Sequence, residues 1–166
     1  MVDLLVTYLE MTAPPAGPSL AAPLPGAAIA REPLDADSYL ALYRAVGEAV
    51  QWDDRLRMTR SALDAFLRDP ATHIYVLRLN KTAIGMCELV GVGKAETELT
   101  NFGLVPNVQG RKLGPWLLDH ALRAVWAYKS RRIWLHTDTN DHPGAEAVYR
   151  RAGFEVYRRR MENFPD

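Results

Sequence analysis

The stretch Leu104-Val105-Pro106-Asn107-Val108-Gln109-Gly110-Arg111-Lys112-Leu113-Gly114 joins a strand to a helix through a loop whose residues suit a bound phosphate. Residues 95–105 set Leu99, Phe102, Leu104 and Val105 among Thr and Glu, the pattern of a strand that stops at Pro106. From Leu113 onward, Leu117, Leu118, Ala121, Leu122 and Val125 recur at helical spacing, and Pro115 fits a first helical turn. A helix start offers unpaired backbone N–H groups and the positive end of the helix dipole. Gly110 and Gly114 let the backbone approach an anion, and Arg111 and Lys112 add charge. Together these residues predict a pyrophosphate site.

A second segment carries chemistry of its own. Residues 131–157 read as a strand (Arg132-Ile133-Trp134-Leu135-His136-Thr137), a polar turn over 138–142, a helix over 143–152, and then Gly153-Phe154-Glu155-Val156-Tyr157. Gln109 and Gly114 in the first segment, with Ala145, Tyr149 and Gly153-Phe154 in the second, resemble the two signature segments of the GNAT superfamily of acyl-CoA-dependent N-acetyltransferases. Lys112 stands where the first pattern usually has Gly. His142 stands where the second often has Asn, and Asn140 lies two residues earlier. The resemblance covers roughly residues 95–160, and the two motifs in this order are far more specific jointly than apart.

The resemblance implies an α/β (α+β) fold, a mixed and mostly antiparallel central sheet flanked by helices, with acetyl-CoA as acyl donor; no pair of histidines has metal-ligand spacing backed by carboxylates, so no metal is expected. The resemblance also implies that Phe102, Gly103, Leu104 and Val105 present backbone to the acyl donor, an N–H near 102–104 receiving the thioester oxygen. Gln109, Gly110, Arg111, Lys112, Leu113 and Gly114 would hold the pyrophosphate. Asn140 or His142 would touch the cofactor, and the choice between them stays open. Transfer to an alkyl amine, whose pKa is about 10, requires a base. Glu98 is the candidate, sharing a strand face with Thr100, Phe102 and Leu104 if no bulge intervenes, although a polar residue on the wet face of a strand fits as well. Tyr149 is the implied proton donor to the leaving thiolate, and its setting beside Ala145, Val148 and Ala152 also suits a core aromatic. His136 reads as a core histidine or as an alternative base.

The resemblance implies that acceptor recognition falls to residues 51–58. There Trp52 with Asp53 and Asp54 predicts an aromatic and acidic wall for a cationic amine, or else a core anchor and a helix cap. The expected activity is direct transfer of the acetyl group to a primary amine of a small molecule. A protein or peptide amine is the alternative acceptor. A CoA-binding regulatory domain without turnover is the alternative class, suggested by Lys112 and His142 and opposed by the presence of Glu98 with Tyr149.

The elements that must position these residues follow from local pattern. Residues 2–11 read as a strand, the Pro-rich stretch 12–26 as an extended connection, and 27–32 as a short strand. Asp35 caps a helix to about Val50, and Ser61 with Asp64 starts a second helix over 62–68. Strands over 72–79 and 83–90 are joined by Asn80-Lys81-Thr82. The 166 residues are 48% hydrophobic, enough for one domain with a full core. Twenty basic residues balance twenty acidic ones, so no global charge points to nucleic acid or an anionic membrane, and Arg158-Arg159-Arg160 reads as a solvated edge. The single Cys87 excludes an intrachain disulfide and sits in an apolar run, as an inert buried thiol would. Met1-Val2-Asp3 has no basic leader, and no apolar run reaches the length of a membrane span, so a cytoplasmic protein is expected. A homodimer is left open.

Overall fold

A computed structural model describes residues 1–165. The elements run β1 (Val2–Met11), β2 (Ala27–Arg31), α1 (Ala36–Gly47), α2 (Arg60–Arg68), β3 (Thr72–Leu79), β4 (Thr82–Val90), β5 (Glu96–Leu104), α3 (Leu113–Trp126), β6 (Arg132–Asp138), α4 (Ala145–Ala152) and β7 (Glu155–Phe164). The strands form one sheet in the order β2-β3-β4-β5-β6-β1-β7, in which β5–β6 is the parallel pair and the other neighbours are antiparallel. This is the mixed, mostly antiparallel architecture that the motifs imply.

Alternation along the strands divides the core in two. On β3, Tyr75 and Leu77 pack with Leu113, Leu117, Leu118, Leu122 and Tyr149 on the α3–α4 side. Their neighbours Ile74 and Val76 pack with Tyr39, Tyr43, Val46 and Leu63 on the α1–α2 side. Cys87 is fully buried, and burial pushes its thiol pKa up, so it has the setting of an inert side chain.

The first strand does not lie at an edge. It is inserted between β6 and β7, pairing Leu9 with Leu135 on one side and Val2 with Phe164 on the other. The Pro-rich connection must therefore travel from inside the sheet to β2 at its far margin. It does so across α3: the Leu20 N–H donates to Asp119 (3.0 Å), and Arg123 Nη2 donates to the carbonyls of Gly17 (3.1 Å) and Pro18 (3.2 Å). Asp119 also receives Arg123 Nε, so one i,i+4 pair on α3 holds both ends of the crossing.

Several boundaries move. The cap of α2 is Thr59, whose hydroxyl accepts the Ala62 N–H at 3.1 Å, rather than Ser61, which lies inside the first turn. Asp35 caps α1 as expected, accepting the Ser38 N–H at 2.8 Å, but that helix ends at Gly47 and a 3-10 turn over Glu48–Val50 follows. The β3–β4 turn is two residues, Asn80 and Lys81, both at positive φ (50° and 75°), because Thr82 already pairs with Leu79. α4 starts at Ala145, two residues later than the pattern of 143–152 suggests.

Gly103 sets the distance between α1 and β5. A methyl group there would stand 2.7 Å from Val46 Cγ1 and 3.6 Å from Trp52 Cη2. Gly103→Ala is expected to cost about 1–3 kcal/mol of unfolding free energy through overpacking. Adding Val46→Ala should return part of that loss, as denaturant midpoints of the single and double variants would show.

Candidate functional site

β5 and β6 share only three register positions: Glu96 with Arg132, Thr97 with Ile133, and Glu98 with Trp134. Beyond Glu98 the strands part. β5 stays with β4 as far as Leu104, while β6 stays with β1 as far as Asp138. The β5 edge that faces this wedge therefore offers backbone groups that no strand takes up.

A bulge in β5 decides which side chains border the wedge. Glu88 pairs with Asn101 and Leu89 with Leu99, which leaves Thr100 as the extra residue. Before the bulge, Leu99 packs on the α3–α4 side; after it, Phe102 and Leu104 do. Glu98 and Thr100 point instead into a cleft on the α1–α2 side. The expectation of one shared face for Glu98, Thr100, Phe102 and Leu104 thus fails because the bulge intervenes. Gly103 is a close-packing position; the irregularity of β5 is at Thr100.

The cleft has a volume of about 320 Å³ and is bordered by Asp54, Arg55, Phe66, Glu98, Thr100 and His136. Glu98 Oε2 lies 3.9 Å from His136 Nε2. Burial raises the Glu98 carboxyl pKa above the usual value, and the neighbouring His136 opposes that rise. His136 is 44% exposed and tilts against the rings of Tyr8 and Trp134, so it borders the cleft and is not the core histidine that was one expectation.

Behind the cleft lies a group that pattern reading passed over. Glu88 is fully buried and receives the hydroxyls of Tyr39 and Thr100 together with Arg55 Nη2 (2.9 Å). Its signal was present, since a lone Glu in an apolar strand is buried only when paired. Its partner Arg55 lay in an ambiguous loop. Trp52 packs against Tyr43 (ring centroids 5.3 Å apart) and over Gly103, while Asp53 pairs with Arg57 at 2.6 Å on the surface. Asp54 and Arg55, not Trp52 and Asp53, border the cleft.

At the far end of β5 a loop leads into α3. Val105 leads into a 3-10 turn, Pro106–Val108, and Gln109 Nε2 donates to the Leu104 carbonyl at 3.4 Å. Gly110 (φ 84°) and Lys112 (φ 63°) are both left-handed, so Lys112 holds the backbone shape that Gly would take at little cost. Lys112 makes no side-chain cap to α3, leaving the first-turn N–H groups without one. Leu113 is fully buried and anchors the turn, Gly114 sits over Phe102 and Leu104, and Arg111 and Lys112 are exposed.

Tyr149 is buried in the core on the α3–α4 side, as a core aromatic would be, its ring 5.8 Å from Phe102 and 5.9 Å from Phe154, and burial pushes its phenol pKa well above the usual value. The turn before α4 is tied to itself. Asp141 receives the Thr137 hydroxyl and the Asp138 N–H, Asp138 receives the Asn140 N–H, and His142 Nδ1 receives the Gly144 N–H at 3.1 Å. His142 thus has one ring nitrogen occupied, whereas only the backbone of Asn140 is engaged. Among the described residues no cluster of three or more His, Cys, Asp and Glu is placed to hold a metal, and no helix is long and apolar enough to cross a membrane.

Residues 37–154 match the model of the acetyltransferase (GNAT) family. No curated protein matches the sequence. Among solved structures, a GCN5-related N-acetyltransferase from Sphaerobacter thermophilus is similar with a TM-score of 0.69 and 21% identity, over 95% of this chain and 50% of that one. An aminoglycoside acetyltransferase from an uncultured soil metagenomic sample has a TM-score of 0.64 and 14% identity, over 77% of this chain and 88% of its own. An IAA acetyltransferase from Bacillus cereus has 0.59 and 21%, over 80% and 79%. At these identities the likeness is one of fold. The chain spans half of the Sphaerobacter protein and 63% of a GNAT-family protein from Novosphingobium aromaticivorans.

The left-handed Lys112 yields a stability prediction. Lys112→Gly should relieve about 1 kcal/mol of backbone strain and raise the thermal midpoint by about 2–4 °C, while Lys112→Val should lower it. Calorimetry on the three proteins reads this directly.

Proposed function

The chain belongs to the acetyltransferase (GNAT) family, and we propose that it moves an acetyl group from acetyl-CoA directly to a primary amine of a small molecule. The observation that carries this reading is the wedge between β5 and β6, with Glu98 on one face, Tyr149 on the other and an uncapped helix start at its end.

The acyl donor's diphosphate lies on the loop of Gln109, Gly110, Arg111, Lys112, Leu113 and Gly114, where free N–H groups and two cations meet it. Its pantetheine arm extends along the open β5 edge past Val105, Leu104, Gly103 and Phe102. A β5 N–H there donates to the thioester oxygen as negative charge develops. Asn140, whose side chain the turn leaves unengaged, is the better placed of the two turn candidates to reach the cofactor.

The acceptor enters the cleft as an ammonium group and gives a proton to Glu98, and His136 passes that proton to solvent. The amine nitrogen attacks the thioester carbon and a C–N bond forms; the nitrogen gives up its second proton to the emptied Glu98 as the C–S bond breaks, leaving a neutral amide. The departing thiolate takes a proton from the Tyr149 hydroxyl, which solvent then restores. No covalent enzyme intermediate is needed. The small cleft supports a small acceptor over a protein chain, and the presence of both Glu98 and Tyr149 supports turnover over passive CoA binding.

The first test is thermal unfolding with acetyl-CoA, CoA, ATP and NAD, since a ligand of the native state raises the midpoint by mass action. A rise with the first two only is expected; none at millimolar acetyl-CoA would remove the reading. Tyr149→Phe should lower kcat about 100-fold and leave CoA affinity nearly intact. Because burial raises the Glu98 pKa, its charged form is lost as pH falls through a value above the ordinary glutamate pKa of about 4.3. The acid limb of kcat/KM should lie above that value. Glu98→Gln should remove the limb and cost about 10²–10⁴ in rate, as pH profiles of both proteins would show.

A further inference from the structure

We infer that the acceptor is an amine that also carries a carboxylate, and that Arg55 receives the carboxylate while Glu98 receives the amine. The inference rests on the acetyl-transfer reading of the cleft and names the substrate class within it.

Arg55 is built into the cleft wall more firmly than its place in a loop requires. Nη2 donates to Glu88 Oε2 at 2.9 Å, Nη1 lies 4.0 Å from Met58 Sδ, and the guanidinium sits 4.1 Å from the ring centre of Phe66. The backbone N–H of Arg55 donates to the Tyr43 hydroxyl at 3.3 Å. A guanidinium has five N–H donors in a rigid fork, and here Glu88 and the Tyr39 hydroxyl engage it on its inner side. Nε is buried with no partner among the described residues, yet the side chain retains 17% exposure at the cleft. Such a fork matches the two oxygens of a carboxylate.

Glu88 explains the aim of the fork. It is fully buried, and the Tyr39 and Thr100 hydroxyls hold it in place behind Arg55. A buried ion pair is a weak source of stability and apolar residues often replace it without loss. What this pair does achieve is to fix a cation at one wall of a cleft whose other wall holds Glu98 beside His136. Asn101 borders the same space and adds an amide donor. Asp54 borders the cleft as well, yet a polycation would still set one charge against Arg55, whereas an aminocarboxylate meets an opposite charge at both ends. The volume of about 320 Å³ suits a molecule of amino-acid size.

The experiment compares amino acids with their decarboxylated amines, among them leucine with isopentylamine, phenylalanine with phenethylamine and lysine with cadaverine, in acetyl-CoA-dependent thiol release. At least one amino acid should exceed its amine about 10- to 100-fold in kcat/KM, most of it in KM. Arg55→Lys should bring that ratio to within about threefold. Circular dichroism would establish that this variant folds, and the wild-type comparison decides the matter without it. Turnover confined to amines without a carboxylate, no turnover of any amino acid by a protein that binds acetyl-CoA, or a ratio that survives in a folded Arg55→Lys protein would overturn the inference. Failure to bind acetyl-CoA would instead overturn the transfer reading beneath it.

Discussion

Past the Glu98–Trp134 pair, β5 and β6 no longer share hydrogen bonds, and two parallel strands that begin as neighbours end with an open wedge between them. The wedge persists because each strand is satisfied on its other side, β5 by β4 and β6 by β1. Unpaired backbone inside a folded protein is costly, so a site of this kind is a place where a ligand's polar groups are worth more than they would be on a closed sheet. The bulge at Thr100 then sorts the border of the wedge. One extra residue sends Glu98 and Thr100 to the α1–α2 side and Phe102 and Leu104 to the α3–α4 side. A polar cleft and an apolar bed thereby come from consecutive residues of one strand.

The buried Glu88 is the clearest case in this fold of stability given over to position. Transferring a carboxylate from water is expensive, and three donors are gathered from α1, β5 and the loop before α2 to offset that cost. Those donors also bind the three segments to one another, so the loop that borders the cleft is held by the same atoms that make the buried charge tolerable. The left-handed Lys112 is a second, smaller compromise: the loop keeps a glycine-like backbone while a side chain contributes a cation.

Much of this was legible before any coordinates. The bounds of β1 and β3 follow from alternation, and α3 follows from its apolar period and the loop before it, because in each case burial on one face writes a regular pattern into the chain. The two motifs named the family and located the loop. What stayed hidden has physical reasons. A bulge shifts register by one residue without any residue type that announces it, so the division of β5 between two faces was invisible. The ambiguity at 51–58 came from competing uses of the same residue types, and tertiary packing resolved it by sending Trp52 into the core and Asp53 to Arg57. The cleft role of His136 depends on a surface left open by helices that cover only part of the sheet, which no local pattern records.

The insertion of β1 between β6 and β7 has a consequence for how the chain reaches its native state. Contacts between Leu9 and Leu135, or Val2 and Phe164, join segments far apart in sequence, and each must close a very long loop before it returns any energy. Until then β1 is a short apolar segment without strand neighbours. The half of the sheet from β2 to β5 can pair locally in the meantime, whereas β6 and β7 have no shared partner until β1 arrives. The wall of the wedge formed by β6 is therefore among the last parts to assemble, and the wedge takes shape only once β1 has paired with both β6 and β7.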